Sequence, residues 1–106
     1  MTDQPTISTH VLDTEHGRPA SGVRVGLFRL DGGGQRLVGT GTTDEDGRIR
    51  RLLDGTLEPG DYRIDFETGG PFFRHAALTF RVDDTTRSYH VPLLLAPYSL
   101  SIYRGS

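Results

Sequence analysis

An all-β chain folded as a two-sheet, antiparallel β-sandwich is what this sequence predicts, on three observations. Apolar residues alternate in short runs and not at helical spacing: Val23, Val25, Leu27; Tyr62, Ile64, Phe66; Leu78, Phe80, Val82; Tyr89, Val91, Leu93. Runs of period two are the mark of half-buried strands. Clusters of turn-forming residues stand between the runs and break any longer element. The 106 residues, roughly half of them apolar or glycine and 25% charged, suit one domain with one core. A single domain over 1–106 is expected, with a flexible N-terminus over 1–6.

Eight strands follow in order. The first, 6–12, ends at Glu15-His16-Gly17-Arg18-Pro19. The second and third, 23–30 and 36–42, flank Asp31-Gly32-Gly33-Gly34, read as a flexible hairpin tip. Asp44-Glu45-Asp46-Gly47 separates them from the fourth, 48–53, and Glu58-Pro59-Gly60-Asp61 introduces the fifth, 61–67. Thr68-Gly69-Gly70-Pro71 closes that strand, the sixth covers 76–82, and Asp83-Asp84-Thr85 leads into the seventh, 87–94. The eighth is 99–104. Greek-key connections join such strands in a sandwich.

A sandwich buries one face of each sheet, so outward residues are the informative ones. In 87–94, Tyr89, Val91 and Leu93 share one face and Ser88, His90 and Pro92 the other, which points His90 away from the core. In the last strand Leu100, Ile102 and Arg104 oppose Ser99, Ser101 and Tyr103. The run Leu93-Leu94-Leu95 breaks alternation, leaving one leucine to be covered by a partner. The closing Tyr103-Arg104-Gly105-Ser106 carries aromatic and cationic side chains to the last residue, which predicts a tail built into a site.

Composition excludes whole classes of chemistry. No Cys means no disulfide framework, thiolate nucleophile or cysteine metal site. All 12 basic residues are Arg, so Schiff-base and lysine general-base chemistry drop out. A net charge of -2 gives no basic field for nucleic acid. No apolar stretch approaches the roughly 18 residues of a membrane helix, and Met1-Thr2-Asp3-Gln4-Pro5 lacks a leader pattern, so a soluble, cytoplasmic protein without membrane partners is expected. Nucleophile-elbow, phosphate-loop and dinucleotide motifs are absent.

Candidates for chemistry are then few. His10 and His90 lie in separate strands and would meet only in space, whereas His16 and His75 read as ordinary turn and loop residues. Arg48 follows the acidic turn; its guanidinium fork suits a planar anion, although an exposed, ion-paired Arg fits the same position. The turn itself matches a calcium loop in composition only, lacking the 12-residue loop with a terminal Glu, and no metal is expected.

Three segments resemble the transthyretin-like family, and within it the 5-hydroxyisourate hydrolases: Ser8-Thr9-His10-Val11-Leu12-Asp13-Thr14 with Gly17-Arg18-Pro19-Ala20; Thr43-Asp44-Glu45-Asp46-Gly47-Arg48; and Tyr89-His90-Val91-Pro92-Leu93-Leu94-Leu95 through Tyr103-Arg104-Gly105-Ser106. The resemblance covers about Ile7 to Ser106. It implies a transthyretin-like (prealbumin-like) Greek-key sandwich of about eight strands, a homotetramer with active sites where dimers meet, and no cofactor. It further implies hydrolysis of 5-hydroxyisourate to 2-oxo-4-hydroxy-4-carboxy-5-ureidoimidazoline in urate degradation, with His10, Arg48 and His90 catalytic and Tyr103, Arg104, Gly105 and Ser106 binding substrate.

The chain departs from the family pattern at Leu100, usually aromatic, and Ile102, usually a small hydroxyl residue. The stretch Glu67 to His75 is shorter than its counterpart, so the short helix after the fifth strand is expected to be absent or cut to one turn. The alternatives are a transthyretin-like protein that binds an apolar or aromatic small molecule without turnover, and a carbohydrate-binding or adhesive sandwich module.

Overall fold

The computed structural model describes residues 4–106. Ten strands build two sheets: β1 (Ile7–Asp13), β2 (Arg18–Pro19), β3 (Arg24–Asp31), β4 (Gly34–Thr42), β5 (Arg48–Ile49), β6 (Gly60–Glu67), β7 (Ala76–Val82), β8 (Tyr89–His90), β9 (Leu93–Leu95) and β10 (Leu100–Ile102). One sheet has the order β4-β3-β6-β7 and is antiparallel throughout. The other runs β10-β9-β1-β2, with β5 and β8 also paired to β1. Among the described residues no helix occurs, and the fold is an all-β, two-sheet sandwich, as expected.

Alternation places the core as expected. Tyr62, Ile64 and Phe66 from β6 pack with Val25 and Leu27 from β3 and with Ile7, Val11 and Leu93 from the facing sheet, all buried. Burying side chains of this size contributes about 1.5–3 kcal/mol each. Buried Tyr62 keeps its hydroxyl satisfied by donating to the Glu58 carbonyl (3.1 Å) and accepting from the Glu58 N–H (3.1 Å). The Asp31-Gly34 hairpin is tight and not loose: Asp31 pairs with Gly34, and Gly32 and Gly33 take φ of 56° and 89°, the left-handed conformations a two-residue turn requires.

Four expectations need correction. The β10-β9-β1-β2 sheet is mixed, because β1 runs parallel to β8 and β9; these segments are far apart in sequence, and the whole of the other sheet is available to return the chain in the same direction. The strand expected over 48–53 stops at Ile49. Leu52 and Leu53 are adjacent and both buried, which no one-faced strand allows, and the segment instead crosses between the sheets, with Leu52 N–H donating to the Ile7 carbonyl (2.8 Å) and Asp54 N–H to the Val38 carbonyl (2.8 Å). The strand expected over 87–94 is interrupted at Val91-Pro92, where proline has no N–H for a ladder. Leu78, expected inward, is 36% exposed, since β7 is an edge strand and the three-residue β10 is too short to cover it.

Of the loose N-terminus expected over 1–6, residues 1–3 lie outside the described residues, and Thr6 is buried with its N–H on Ser88 Oγ (2.9 Å). The segment 68–75 is a nested turn: the N–H groups of Thr68 and Gly69 both donate to the Arg74 carbonyl.

The crossing segment makes one glycine indispensable. At the bulge in β4, a Cβ on Gly39 would overlap the Leu52 carbonyl oxygen. Gly39→Ala must push backbone from backbone, and we expect a loss of about 3 kcal/mol or more, read as a lower urea midpoint at unchanged m-value. An unchanged midpoint would mean that the crossing segment is not packed in this way.

Candidate active site

Strand β1 is the platform of the site. Ile7, Thr9 and Val11 face the core, so Ser8 and His10 share the opposite face. Thr9 is itself buried and satisfied, its Oγ1 donating to the Val91 carbonyl at 2.6 Å. Register then brings the site together: Ser8 stands beside His90 on the parallel side, and His10 beside Arg48 on the antiparallel side. A cleft of about 350 Å³ opens over this face, lined by Ser8, Arg48, Arg50, His90 and Ser106.

The acidic turn organises two of these groups. Asp44 Oδ1 accepts the N–H groups of Asp46 and Arg48, both at 2.9 Å, and Gly47, at φ 77°, closes the turn by donating its N–H to the Asp44 carbonyl. The Arg48 N–H bond, foremost, holds the Asp44 carboxyl below its ordinary value. Held in this turn, the Asp46 carbonyl accepts from His10 Nε2 at 2.8 Å. A carbonyl only accepts, so this nitrogen carries the proton, and neutral His10 offers Nδ1 as its lone pair. What composition suggested as a failed calcium loop is thus the bracket that fixes Arg48 and the His10 tautomer.

His90 is held from two sides. Its Nδ1 lies 2.9 Å from Ser8 Oγ. Gly105 forms a bridge to it, donating its N–H to the His90 carbonyl at 2.8 Å, and an added Cβ on Gly105 would come to 2.5 Å from His90 Cδ2. The tail backbone packs against the imidazole. Burial, foremost, and then the nearby His10 and Arg48 charges lower the His90 pKa, so the ring is neutral near pH 7.

The sign of that shift sets a pH dependence. Unfolded, the ring takes up a proton as pH falls through about 6.5. Folded, it resists until lower pH, so its share of stability is whole above that range and is lost on acidification toward the folded value. An NMR titration of the His90 ring is expected to give a midpoint below the ordinary imidazole value, moving up in Arg48→Ala. A midpoint at or above the ordinary value would contradict the crowded cationic setting.

The sequence-derived residues divide. Arg48, His90 and Ser106 line the cleft, Gly105 is bridged to His90, and His10, which is not among the lining residues, stands beside Arg48 in the β1–β5 register. Tyr103 and Arg104 turn away within this chain: the Arg104 guanidinium stacks 4.9 Å over the Tyr89 ring, and both residues line a separate apolar groove with Leu78, Phe80 and Ile102. Cation–π attraction to Tyr89 draws Arg104 there. His16 bonds Asp13 Oδ2 at 2.8 Å and His75 pairs with Asp65 at 3.4 Å, and neither lines the cleft, in keeping with their ordinary reading. Ser8, Arg50 and the Asp46 carbonyl were not singled out by sequence. Only the Asp-x-Asp-Gly turn signal pointed toward one of them.

Comparison with known proteins gives a consistent answer. The profile of the HIUase/Transthyretin family matches residues 7–105. The 5-hydroxyisourate hydrolase of Deinococcus radiodurans is 40% identical over 119 aligned residues, covering 100% of both chains. The uric acid degradation bifunctional protein TTL of Arabidopsis thaliana is 45% identical over 97% of this chain, which spans 38% of that protein's length. The structure of Klebsiella pneumoniae 5-hydroxyisourate hydrolase superposes with a TM-score of 0.84 at 34% identity, covering 96% of this chain and 99% of that one.

Proposed function

Since the chain belongs to the HIUase/Transthyretin family and is a hydrolase of 5-hydroxyisourate in urate degradation, we propose that it opens the substrate's ring amide in the cleft of His10, Arg48 and His90. The observation that carries this reading is the His10 Nε2–H bond to the Asp46 carbonyl, which leaves Nδ1 as a base on the residue paired with Arg48 in the β1–β5 register. His10 Nδ1 takes a proton from water as its oxygen attacks the ring carbonyl carbon. The electron pair moves onto the carbonyl oxygen, where the Arg48 guanidinium stabilises the oxyanion. Collapse of the intermediate breaks the C–N bond, and the His10 imidazolium returns its proton to the leaving nitrogen. The product carries the new carboxylate, giving 2-oxo-4-hydroxy-4-carboxy-5-ureidoimidazoline. No step calls on a cofactor.

Tyr103, Arg104, Gly105 and Ser106 belong to the same reading as substrate-binding residues, Gly105 and Ser106 from the chain that carries the histidines and Tyr103 and Arg104 across an assembly contact. The functional unit is a homotetramer in the cytoplasm. Two features favour assembly: the apolar groove of about 300 Å³ at the free edges of β7 and β10, and the exposure of Leu78 beside it. Among the described residues, no helix is long and apolar enough to cross a membrane.

The test follows 5-hydroxyisourate absorbance with the protein at substoichiometric concentration, alongside sedimentation velocity. Many turnovers per chain and a tetramer-sized species are expected. Decay at the spontaneous rate would overturn hydrolysis, and a monomer that turns over substrate would overturn the assembly alone.

A further inference from the structure

We propose that Ser8 is a positioning residue, holding His90 in the tautomer that carries its proton on Nε2. The inference rests on the hydrolytic reading above and assigns the two histidines different duties within it. Ser8 and His90 are neighbours in the parallel pairing of β1 and β8, and the backbone fixes their separation: the Tyr89 N–H donates to the Thr6 carbonyl and the Val91 N–H to the Ser8 carbonyl, both at 2.9 Å. Bonds on either side of the pair leave Ser8 Oγ 2.9 Å from Nδ1. The Gly105 backbone lies against the ring near Cδ2 and blocks it from swinging away.

The hydroxyl is able to donate or accept at this distance, and we assign it as the donor. A serine hydroxyl has one proton to give, and a neutral imidazole has one nitrogen that accepts. Among the described residues, Nδ1 is the protein atom to which the Ser8 hydroxyl is bonded. Donation to Nδ1 satisfies both groups at once. The ring proton then sits on Nε2, which has no protein partner among the described hydrogen bonds and belongs to a residue lining the cleft.

His10 is held in the opposite sense. Its Nε2–H is taken by the Asp46 carbonyl, and its Nδ1 has no protein partner among the described hydrogen bonds. Two neutral imidazoles therefore present complementary faces, a lone pair from His10 and an N–H from His90. The first removes the proton from water, and the second donates a hydrogen bond to the oxyanion beside Arg48 without surrendering its proton. A neutral imidazole N–H is a competent electrophile of this kind. With the other tautomer of His90 a second lone pair would face the developing negative charge, which raises the barrier. Sequence could not divide the labour between the histidines; the side-chain and backbone partners of each ring do.

The experiment measures the ring nitrogens directly and the kinetics beside them. In uniformly ¹⁵N-labelled protein near pH 7.5, two-bond ¹H–¹⁵N correlations of His90 are expected to show Nδ1 unprotonated and hydrogen-bonded, with Nε2 protonated. In Ser8→Ala the two nitrogens should move toward the averaged values of mixed tautomers. The same variant should lose about 10- to 100-fold in kcat, the scale seen when the outer partner of a functional histidine is removed, with KM within about 2-fold. Ser8→Thr keeps the hydroxyl and should restore both readouts. Protonated Nδ1 in the wild type, or an unaltered tautomer ratio in Ser8→Ala, would overturn the proposal even if the chain hydrolyses its substrate. Loss of turnover in the wild type would overturn the hydrolytic reading instead, with the ¹⁵N spectra still deciding the tautomer.

Discussion

Arg48→Ala is expected to lower kcat/KM for 5-hydroxyisourate by about 10²–10³-fold, the loss that follows removal of one preorganised donor to an oxyanion. The fold should survive. Arg48 is joined to the Asp44 turn by its backbone N–H, not by its side chain, and alanine retains that bond. Arg48 as a whole is half-buried and lines the open cleft, so its removal leaves no large cavity. Arg48→Lys keeps the charge and loses the fork of parallel donors, and should recover only part of the rate. Steady-state kinetics beside a thermal melt check both points. A variant with the wild-type melting temperature and wild-type kcat/KM would remove Arg48 from the chemistry.

Gly105→Ala should cost about 10²-fold in kcat/KM, because displacement of a catalytic group by an ångström is enough for a loss of that size. The new Cβ would come to 2.5 Å from His90 Cδ2 and 3.2 Å from Pro92 Cγ. The tail cannot ease away cheaply, since the Gly105 N–H bond to the His90 carbonyl ties it down. Either the imidazole turns off Ser8 or the tail leaves the cleft with Ser106. Tyr103, Arg104 and Ser106 are exposed, Gly105 is half-buried, and none of them belongs to the core, so stability should change little. An active Gly105→Ala enzyme would mean that the seat of the tail on His90 is not needed for turnover.

Much of the fold was legible because strands with one buried face announce themselves. Tyr62, Ile64 and Phe66 alternate in sequence and are all buried in β6. Where a segment serves two sheets the signal fails. Leu52 and Leu53 look like the end of a strand and are a crossing, held by contacts to Ile7 and Val38 that no local pattern encodes. Leu78 shows the same limit, for alternation says which face a residue takes and not whether anything covers that face. The direction of β1 against β8 and β9 was likewise invisible, since pairing depends on the path of everything between.

The site was legible in a different way. Outward His90 followed from alternation, but nothing local distinguished it, or His10, from an ordinary surface histidine; the family resemblance supplied that. Its surroundings were hidden for a physical reason. Ser8 and His90 lie 82 positions apart, and the proton on a ring depends on an atom that only the folded chain brings near. The Asp46 carbonyl is a backbone group, so no residue type could have signalled it. Only the Asp44 turn that aims it has a recognisable sequence.

The most direct test of a single catalytic centre compares kcat/KM for His10→Ala, His90→Ala and the variant carrying both. Each single substitution should lose about 10²–10⁴-fold. Groups that act as one unit are non-additive, so the double variant should fall little below the weaker single one. Losses that multiply, or either single variant working at the wild-type rate, would contradict a shared centre in this cleft.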